Sequence, residues 1–464
     1  MMIGDELFSG GRGRGLAALA VAGALVGMVG CDDGDVDGFS MEEWDRINQI
    51  KPLGDGSMPQ NPFNTRDDDA GLATFGQMLF FETEFSSAII KEGPGGMVGQ
   101  MGKVGCVSCH DPAHYFIDSR QDPRIPTGLS LGVNATSRNS PALVNLPWYQ
   151  WVTWAGRLDS LAMQGANAPE APTDVGSSRL YIAHVLYRKY KTEYNQLFDP
   201  DLPDELDANN PAAAVYPMAG KPKANAMAPD GAWEMLPPAQ KKIINQIMAN
   251  IGKSYEAYER KLINKDYPFL RYINGDHEAL SPSAKNGLKL FIGKASCLEC
   301  HTGPTLSDNK FHNIGVEQPE NIKADGTNTF DLGRYQDIPK LVNNGFNSAK
   351  EFSDNQQLGM EKLAGLSATE VPEETKGQFR TACLLNIAET GPYMHNGSLK
   401  TLDDVVKFYN NGGGATGKFP GAKDPKIRAK LSLTDQEMAD LVEFLHSLTG
   451  VQAYGDFAVD NHKP

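Results

Sequence analysis

This chain contains the stretch Cys106-Val107-Ser108-Cys109-His110 and repeats its pattern at Cys297-Leu298-Glu299-Cys300-His301. In a C-x-x-C-H unit, the two thiols can add to the vinyl groups of a haem and the adjacent histidine can bind the iron. One such unit would also be compatible with half of a zinc site, but two units favour covalent haem. The sequence therefore predicts two haem c groups, held by Cys106, Cys109, Cys297 and Cys300, with His110 and His301 as iron ligands.

The segments around these units indicate two related, mainly helical domains. A similar apolar segment precedes each unit, Gly76-Gln77-Met78-Leu79-Phe80 and Gly287-Leu288-Lys289-Leu290-Phe291. Helical periodicity is clear over residues 241–262 and again after Thr434, which forms a capping box with Glu437. Sustained period-two alternation is absent from the sequence. We therefore expect a mainly α protein with two cytochrome c-like haem domains, long loops and an inter-domain insertion.

These signals divide the chain into five parts. We expect a signal peptide over residues 1–31 and a tether with an N-terminal segment over residues 32–66. The first haem domain follows over residues 67–198, and the second occupies residues 271–464. Between them, residues 199–270 are interpreted as a proline-rich insertion and a connecting helix, because residues 199–238 contain eight prolines.

Composition limits the classes of partner. The 464 residues are 40% hydrophobic and include 43 Lys and Arg against 58 Asp and Glu, so the net charge is −15. A chain this apolar folds, and its acidity argues against a nucleic-acid binder that depends on a basic face. A partner protein with a basic surface is more compatible with this negative charge.

The N-terminus reads as an export signal. Arg12 and Arg14 precede an apolar run over residues 16–30 that is too short to span a bilayer. The run ends in Met28-Val29-Gly30-Cys31, which resembles a bacterial lipoprotein cleavage box in which Cys31 is acylated. The alternative is an ordinary cleaved signal with a stray cysteine. We expect a periplasmic protein that is soluble beyond Cys31 and tied to a membrane only by its lipid.

The sequence predicts an open iron face at the first haem. After His114 there is no histidine until His184. His114 lies four residues from His110, on the same side of any local helix, so it could not reach across the haem plane. We interpret it as a surface residue or a neighbour of the ligand. An open face can bind peroxide or oxygen, whereas a sixth side-chain ligand gives an electron-transfer haem.

Several further stretches resemble the bacterial di-haem cytochrome c peroxidase family, and within it the MauG-like branch. The similarity covers roughly residues 72–176 and 281–450. Its motifs are Arg138-Asn139-Ser140-Pro141, Trp154-Ala155-Gly156-Arg157, Phe311-His312-Asn313-Ile314-Gly315, Thr390-Gly391-Pro392-Tyr393-Met394-His395-Asn396-Gly397 and Phe408-Tyr409-Asn410-Asn411-Gly412-Gly413.

The resemblance implies a ligand set for both irons. Classical members carry a histidine shortly before R-N-x-P that caps the first haem, but residues 129–137 contain none here, which resembles the MauG-like condition. At the second haem, the family's far ligand falls fourteen residues after the histidine of P-Y-x-H, at Tyr409. Met394 is the rival ligand. A phenolate would favour ferric and higher oxidation states, which a thioether does not.

The resemblance also implies the groups that act on peroxide and carry charge. Gln164 matches the family's distal glutamine, and either Asp174 or Glu170 supplies the distal carboxylate. Proton transfer between the two peroxide oxygens needs such an acid–base group. Trp154 matches the tryptophan between the haems. Asn139, Thr390 and Pro392 match a Ca²⁺ site that combines one side chain with two backbone carbonyls; hard oxygen ligands suit this ion.

The expected function is peroxide reduction at the His110 haem, with oxidising equivalents shared through Trp154 with the second haem. The electrons would come from a small cytochrome c, from a cupredoxin, or from a protein side chain. In the last case the protein is a MauG-like enzyme that oxidises tryptophan of a partner. A third interpretation is a non-enzymatic di-haem electron carrier, which would need a sixth ligand at both irons. No nucleic-acid partner is expected.

Overall fold

The computed structural model describes residues 36–51, 58–120, 129–318, 330–427 and 430–462. The expected signal peptide, its Cys31 lipidation site and the start of the tether lie outside these ranges. None of the helices in the described part of the chain is both long and apolar enough to cross a membrane.

The described residues confirm the mainly α expectation. The helices are α1 (Met41–Asn48), α2 (Ala70–Phe81), α3 (Leu161–Asn167), α4 (Arg179–Leu197), α5 (Ala232–Met235), α6 (Pro238–Glu259), α7 (Pro268–Ile273), α8 (Pro282–Ile292), α9 (Arg334–Asn343), α10 (Gln356–Lys362), α11 (Leu402–Asn410) and α12 (Asp435–His446). The only described sheet pairs β1 (Phe311–His312) with β2 (Phe379–Arg380) in antiparallel register.

The first hydrophobic core is built by α2, α3, α4 and α6. Helix α6 lies between α2 and α3 because glycines let the backbones approach closely. A Cβ on Gly76 of α2 would lie 2.0 Å from the Ser254 carbonyl oxygen of α6. Likewise, a Cβ on Gly252 of α6 would lie 2.1 Å from the Ala162 carbonyl oxygen of α3. Neither distance is possible for real atoms, so only glycine fits either crossing.

The second core repeats the same crossing with α8 and α12. A Cβ on Gly287 of α8 would lie 2.0 Å from the Asp440 carbonyl oxygen and 2.8 Å from the Cβ of Phe444. In the first core, Gly76 meets Ser254 and Tyr258, also four residues apart. The two apolar segments that precede the C-x-x-C-H units are therefore similar because each carries the glycine of an equivalent helix crossing.

Local signals placed the helix termini well. Thr434 caps α12 in a complete capping box with Glu437, as predicted, and Thr401 caps α11. The predicted helix at residues 241–262 is α6, which begins and ends three residues earlier. Pro238 causes the earlier start, because proline at the first helical turn needs no amide hydrogen and has a suitable φ angle.

The proline-rich segment is irregular, as predicted, but it belongs to the first core. Five large apolar side chains of this segment are buried in that core: Leu202, Leu206, Tyr216, Trp233 and Leu236. Short turns let each of these side chains reach the core without a long helix. The domain boundaries drawn from the sequence remain predictions.

Candidate functional site

The first C-x-x-C-H unit presents its histidine in one fixed orientation. Residues Cys106–Ser108 form a short 3₁₀ turn, and both cysteines are free thiols. The Nδ1 atom of His110 lies 2.9 Å from the carbonyl oxygen of Phe116, so Nδ1 carries the hydrogen and donates. The Nε2 atom is thereby left as the metal-binding nitrogen. A backbone partner of this kind fixes the tautomer and raises the basicity of an iron ligand.

The second unit repeats this geometry. Cys297–Glu299 form the 3₁₀ turn, and His301 Nδ1 lies 2.8 Å from the carbonyl oxygen of Leu306. Both acceptor residues are held in the left-handed backbone region, Phe116 at φ 56° and Leu306 at φ 50°. Two loops of different sequence thus orient two histidines in the same way, as two iron ligands require.

The thiols are suited to covalent attachment. Burial raises the pKa of Cys106, Cys109 and Cys297 to about 12, so these groups are neutral thiols in an apolar setting. An apolar environment is what a porphyrin needs, and the absence of a disulfide within either unit leaves both sulfurs of each pair ready for thioether formation. The residues present therefore fit two haem groups.

An open cavity of about 250 Å³ lies beside the second unit. Its apolar wall includes Phe291, Val406, Leu431, Leu441 and Leu445. Cys297, Cys300 and His301 form part of the lining, and both candidate far ligands, Tyr409 and Met394, face the same cavity. Burial, followed by the nearby sulfurs of Cys297 and Cys300, raises the pKa of the Tyr409 phenol. The structure therefore brings the tyrosine close to the attachment site without excluding the methionine.

Sequence analysis missed His395 as a cavity residue, although it lies within a quoted motif. It is buried, stacks on Phe379 with ring centroids 3.6 Å apart, and has an Nε2 atom without a hydrogen-bond partner. Burial lowers its pKa to about 3, so the imidazole is neutral. An unpartnered polar atom in this cavity is consistent with a cofactor that supplies the partner.

A second missed histidine, His312, lines the same cavity close to Cys300. His312 is bracketed by two carboxylates, with Nε2 2.9 Å from Asp308 and Nδ1 2.6 Å from Asp424. The hydrogen bond with Asp308 is the largest cause that raises the pKa of His312 to about 10. The structure thus places a cationic imidazolium beside the second attachment site. Asp308 is 4 positions away but Asp424 is 112 positions away, so the motif that contains His312 does not reveal this pair of carboxylates.

Trp154, Asn139 and Pro392 form one connected group. The Trp154 indole Nε1 donates to the Asn139 carbonyl oxygen at 2.7 Å, and the Asn139 side chain contacts the Pro392 carbonyl oxygen at 2.5 Å. Thr390 and Trp154 line the same cavity as His301. Three of the four residues expected around the tryptophan and the Ca²⁺ site are thus in contact, and the Asn139 amide N–H donates to the Pro392 carbonyl, so these two groups are paired with each other.

The candidate distal residues of the first haem differ in their surroundings. Glu170 is held by Arg179, with a closest contact of 2.6 Å, so its carboxylate is already used. Asp174 lies near the first unit: burial is the largest cause of the raised pKa of Cys106 and Cys109, and the charge of Asp174 adds to both. Gln164 lies on α3. Its neighbour Gly165 packs closely on α6, where an added Cβ would lie 2.8 Å from the Cβ of Tyr255. His114 is exposed and pairs with Asp111 at 2.7 Å.

Comparison with known proteins identifies the family. Residues 70–278 match the family model described as di-haem cytochrome c peroxidase. The cytochrome-c peroxidase IdrP1 of Denitromonas iodatirespirans is 31% identical over 353 residues, which cover 75% of this chain and 77% of that protein. This chain belongs to the di-haem cytochrome c peroxidase family.

Other relatives extend the family to its MauG-like members. The methylamine utilization protein MauG of Methylorubrum extorquens is 25% identical over 376 residues, which cover 80% of this chain and 76% of that protein. The crystal structure of the diheme peroxidase BthA from Burkholderia thailandensis covers 83% of this chain and 88% of its own, with 21% identity and a TM-score of 0.57. The fold is that of the family, and this peroxidase-type oxidoreductase carries two haem groups.

Proposed function

We propose that this family member reduces hydrogen peroxide at the His110 haem and stores oxidising equivalents at a haem held by His301 and Tyr409. The observation that carries the proposal is the difference between the two centres. Tyr409 and Met394 line the cavity beside the second unit. In contrast, His114, the histidine nearest the first centre in sequence, is paired with Asp111 at the surface. Among the described residues, the second centre therefore has candidate sixth ligands beside it, and the histidine nearest the first centre in sequence is paired elsewhere.

Asp174 and Gln164 are the groups we propose to act on bound peroxide. Heterolysis moves a proton from the near to the far oxygen, which a carboxyl group performs when it lies within reach of both. Glu170 is committed to Arg179, whereas Asp174 accepts the Thr173 hydroxyl at 2.8 Å and has no charged partner among the described residues. The Gln164 amide would orient the peroxide by hydrogen bonding. Aspartate is one methylene shorter than the family's glutamate, so the carboxylate must be brought close by its loop.

Trp154 is the proposed relay between the centres. Its indole N–H is fixed by the Asn139 carbonyl, and its own carbonyl accepts from the Arg380 amide at 2.7 Å. The side chain and the backbone of Trp154 are both hydrogen-bonded, so the indole keeps a constant distance to its neighbours, which favours electron transfer. The Ca²⁺ ion proposed at Asn139, Thr390 and Pro392 would brace the same loop, because Asn139 contacts both the tryptophan and Pro392.

The electron source is proposed by chemical class. A small cytochrome c or a cupredoxin would make this protein a peroxide-scavenging enzyme, and the acidic chain favours a basic partner. The MauG-like alternative, oxidation of a partner's tryptophan, is favoured by Tyr409 in the cavity beside the second unit. We place the protein in the bacterial periplasm, anchored by a lipid at Cys31.

Electron paramagnetic resonance tests the proposal. The ferric protein should show one high-spin and one low-spin haem, and one equivalent of peroxide should remove both signals before any reductant is added. In Tyr409→Met, the low-spin haem should become easier to reduce, because a thioether favours the ferrous state. Met394→Leu is the matched control and should leave that haem unchanged.

Two results would contradict the roles proposed for the two haems. Two low-spin haems that do not respond to peroxide would indicate an electron carrier, or an enzyme that needs prior reduction. A change of the low-spin signal in Met394→Leu, with none in Tyr409→Met, would assign the sixth ligand to the methionine.

A further inference from the structure

The segment of residues 450–462, here called the C-terminal strap, leaves the second core and crosses onto the first. Gln77 of α2 donates its amide to the carbonyl oxygens of Asp456 at 2.6 Å and Val459 at 2.7 Å. The Tyr258 hydroxyl of α6 donates to the Phe457 carbonyl at 2.7 Å. Buried donors on two helices of the first core thus hold the backbone of a segment that follows the last helix of the second.

The first half of the strap holds the loop that follows the first C-x-x-C-H unit. The Tyr115 hydroxyl donates to the Gly450 carbonyl at 2.6 Å. The Gln452 amide makes two bonds with the same loop, because its Nε2 donates to the Ala113 carbonyl at 2.9 Å and its Oε1 accepts from the Tyr115 amide at 3.2 Å. The ring of Tyr454 packs edge-on against Phe116, with centroids 5.4 Å apart.

This loop contains the acceptor that orients His110. Tyr115 and Phe116 have φ angles of 51° and 56°, so two successive residues with side chains occupy the left-handed region. Such a conformation is unfavourable and persists only where the surroundings enforce it. The strap contributes to that enforcement, since it bonds Ala113 and Tyr115 and packs on Phe116, whose carbonyl is the partner of His110 Nδ1. The loop's own backbone bonds, such as that from the Phe116 amide to the Asp111 carbonyl at 2.9 Å, act together with it.

We propose that the C-terminal strap sets the hydrogen bond of the iron-ligating histidine at the first haem, with Gln452 and Tyr115 as positioning residues. The inference depends on the proposed role of His110 as iron ligand. A firm N–H···O bond at Nδ1 makes the imidazole a stronger donor, which stabilises the ferric iron. The strap is a continuation of the second core, so the packing of one haem domain adjusts the reduction potential of the other haem.

The test uses the full-length, haem-loaded protein and the double variant Gln452→Ala/Tyr115→Phe. Loss of three hydrogen bonds should loosen the loop, weaken the His110 bond and raise the reduction potential of the high-spin haem. The iron–histidine stretching frequency of that haem should fall. The low-spin haem serves as an internal reference and should keep its potential. Val451→Ala, at an exposed strap position, is the matched control and should change neither haem.

Several outcomes would overturn the inference. One is a folded double variant in which the high-spin haem keeps its potential and its stretching frequency. Another is an equal shift of both haems, which would indicate general loosening. If the double variant does not fold, Tyr115→Phe alone, which removes one oxygen atom, gives the same readout. Absence of a histidine-ligated high-spin haem in the unaltered protein would overturn the role of His110 and the inference with it.

Discussion

Two acidic side chains four residues apart, Glu170 and Asp174, differ in what surrounds them. Glu170 is occupied by Arg179, whereas the charge of Asp174 reaches the first attachment site, where it adds to the raised pKa of Cys109 that burial mainly causes. We expect Asp174→Asn to lower the rate of peroxide reduction by roughly 100-fold or more, since a general acid–base group is lost. Haem content should be unchanged. Stopped-flow kinetics with peroxide measures the rate, and absorbance measures the haem.

Glu170→Gln provides the comparison for that prediction. It breaks a largely buried ion pair, which should lower the free energy of unfolding by about 3 kcal/mol. A thermal unfolding experiment separates the two effects. If Glu170→Gln loses peroxide reduction while Asp174→Asn keeps it, the assignment of the distal acid is wrong.

His312 should make stability depend on alkaline pH. Its pKa is raised from an ordinary 6.5 to about 10, mainly by Asp308. The stabilisation from the charged ring is fully present below about pH 6.5 and is lost as the pH rises through about 10. We expect His312→Gln to cost about 2 kcal/mol at neutral pH, because two largely buried carboxylates lose their cation.

Unfolding of the two proteins across this pH range measures the effect. The difference in melting temperature between the unaltered protein and His312→Gln should be large near pH 7 and shrink towards pH 10. A difference that stays constant over the whole range would show that packing, and not charge, is what His312 contributes.

Residues in short motifs were the ones that sequence could identify. The spacing of the C-x-x-C-H units reflects their chemistry, and Trp154 and Asn139 stand in motifs of the family resemblance. His312 also stands in such a motif, but its partner Asp424 lies 112 positions away, and the strap residue Gln452 bonds Ala113 across 339 positions. Such contacts arise only when the chain folds, so neither periodicity nor a motif can predict them.

At the level of helices, the two glycine crossings explain the repeat in the sequence. We expect Gly76→Ala and Gly287→Ala each to lower the free energy of unfolding by about 3 kcal/mol, because the new methyl group would overlap a backbone carbonyl. Gly345→Ala is the control, since a Cβ there meets no atom within 4 Å and its φ is not positive. Thermal unfolding compares the three variants. Equal melting temperatures would show that the helices adjust freely.

Helix ends and helix crossings differ in how well sequence defines them. The caps at Thr401 and Thr434 are local, so a few residues suffice to predict them. The crossing of α2 with α6 joins residues that lie 178 positions apart. Similarly, the burial of Trp233 depends on the whole first core and not on its proline-rich neighbours.

Across the whole molecule, the two halves of the chain meet around the Trp154 loop. Arg380 donates its amide to the Trp154 carbonyl at 2.7 Å, and the Arg334 guanidinium donates to the Gly156 carbonyl at 2.6 Å. Arg138 adds ion pairs to Asp331 at 2.7 Å and Asp337 at 2.6 Å. Because the partners are largely buried, these bonds hold the loop against the second half. A fixed loop is what a relay between two centres requires.

Trp154→Phe should therefore uncouple the centres without unfolding the protein. The variant loses the indole and its bond to Asn139, so charge exchange between the haems slows. Peroxide should then remove the high-spin signal first and the low-spin signal much later, as freeze-quench paramagnetic resonance would show. Trp151→Phe is the control, because that ring packs on Arg334 at 4.8 Å and not on Asn139. If both signals disappear together in Trp154→Phe, the charge takes another route through the protein.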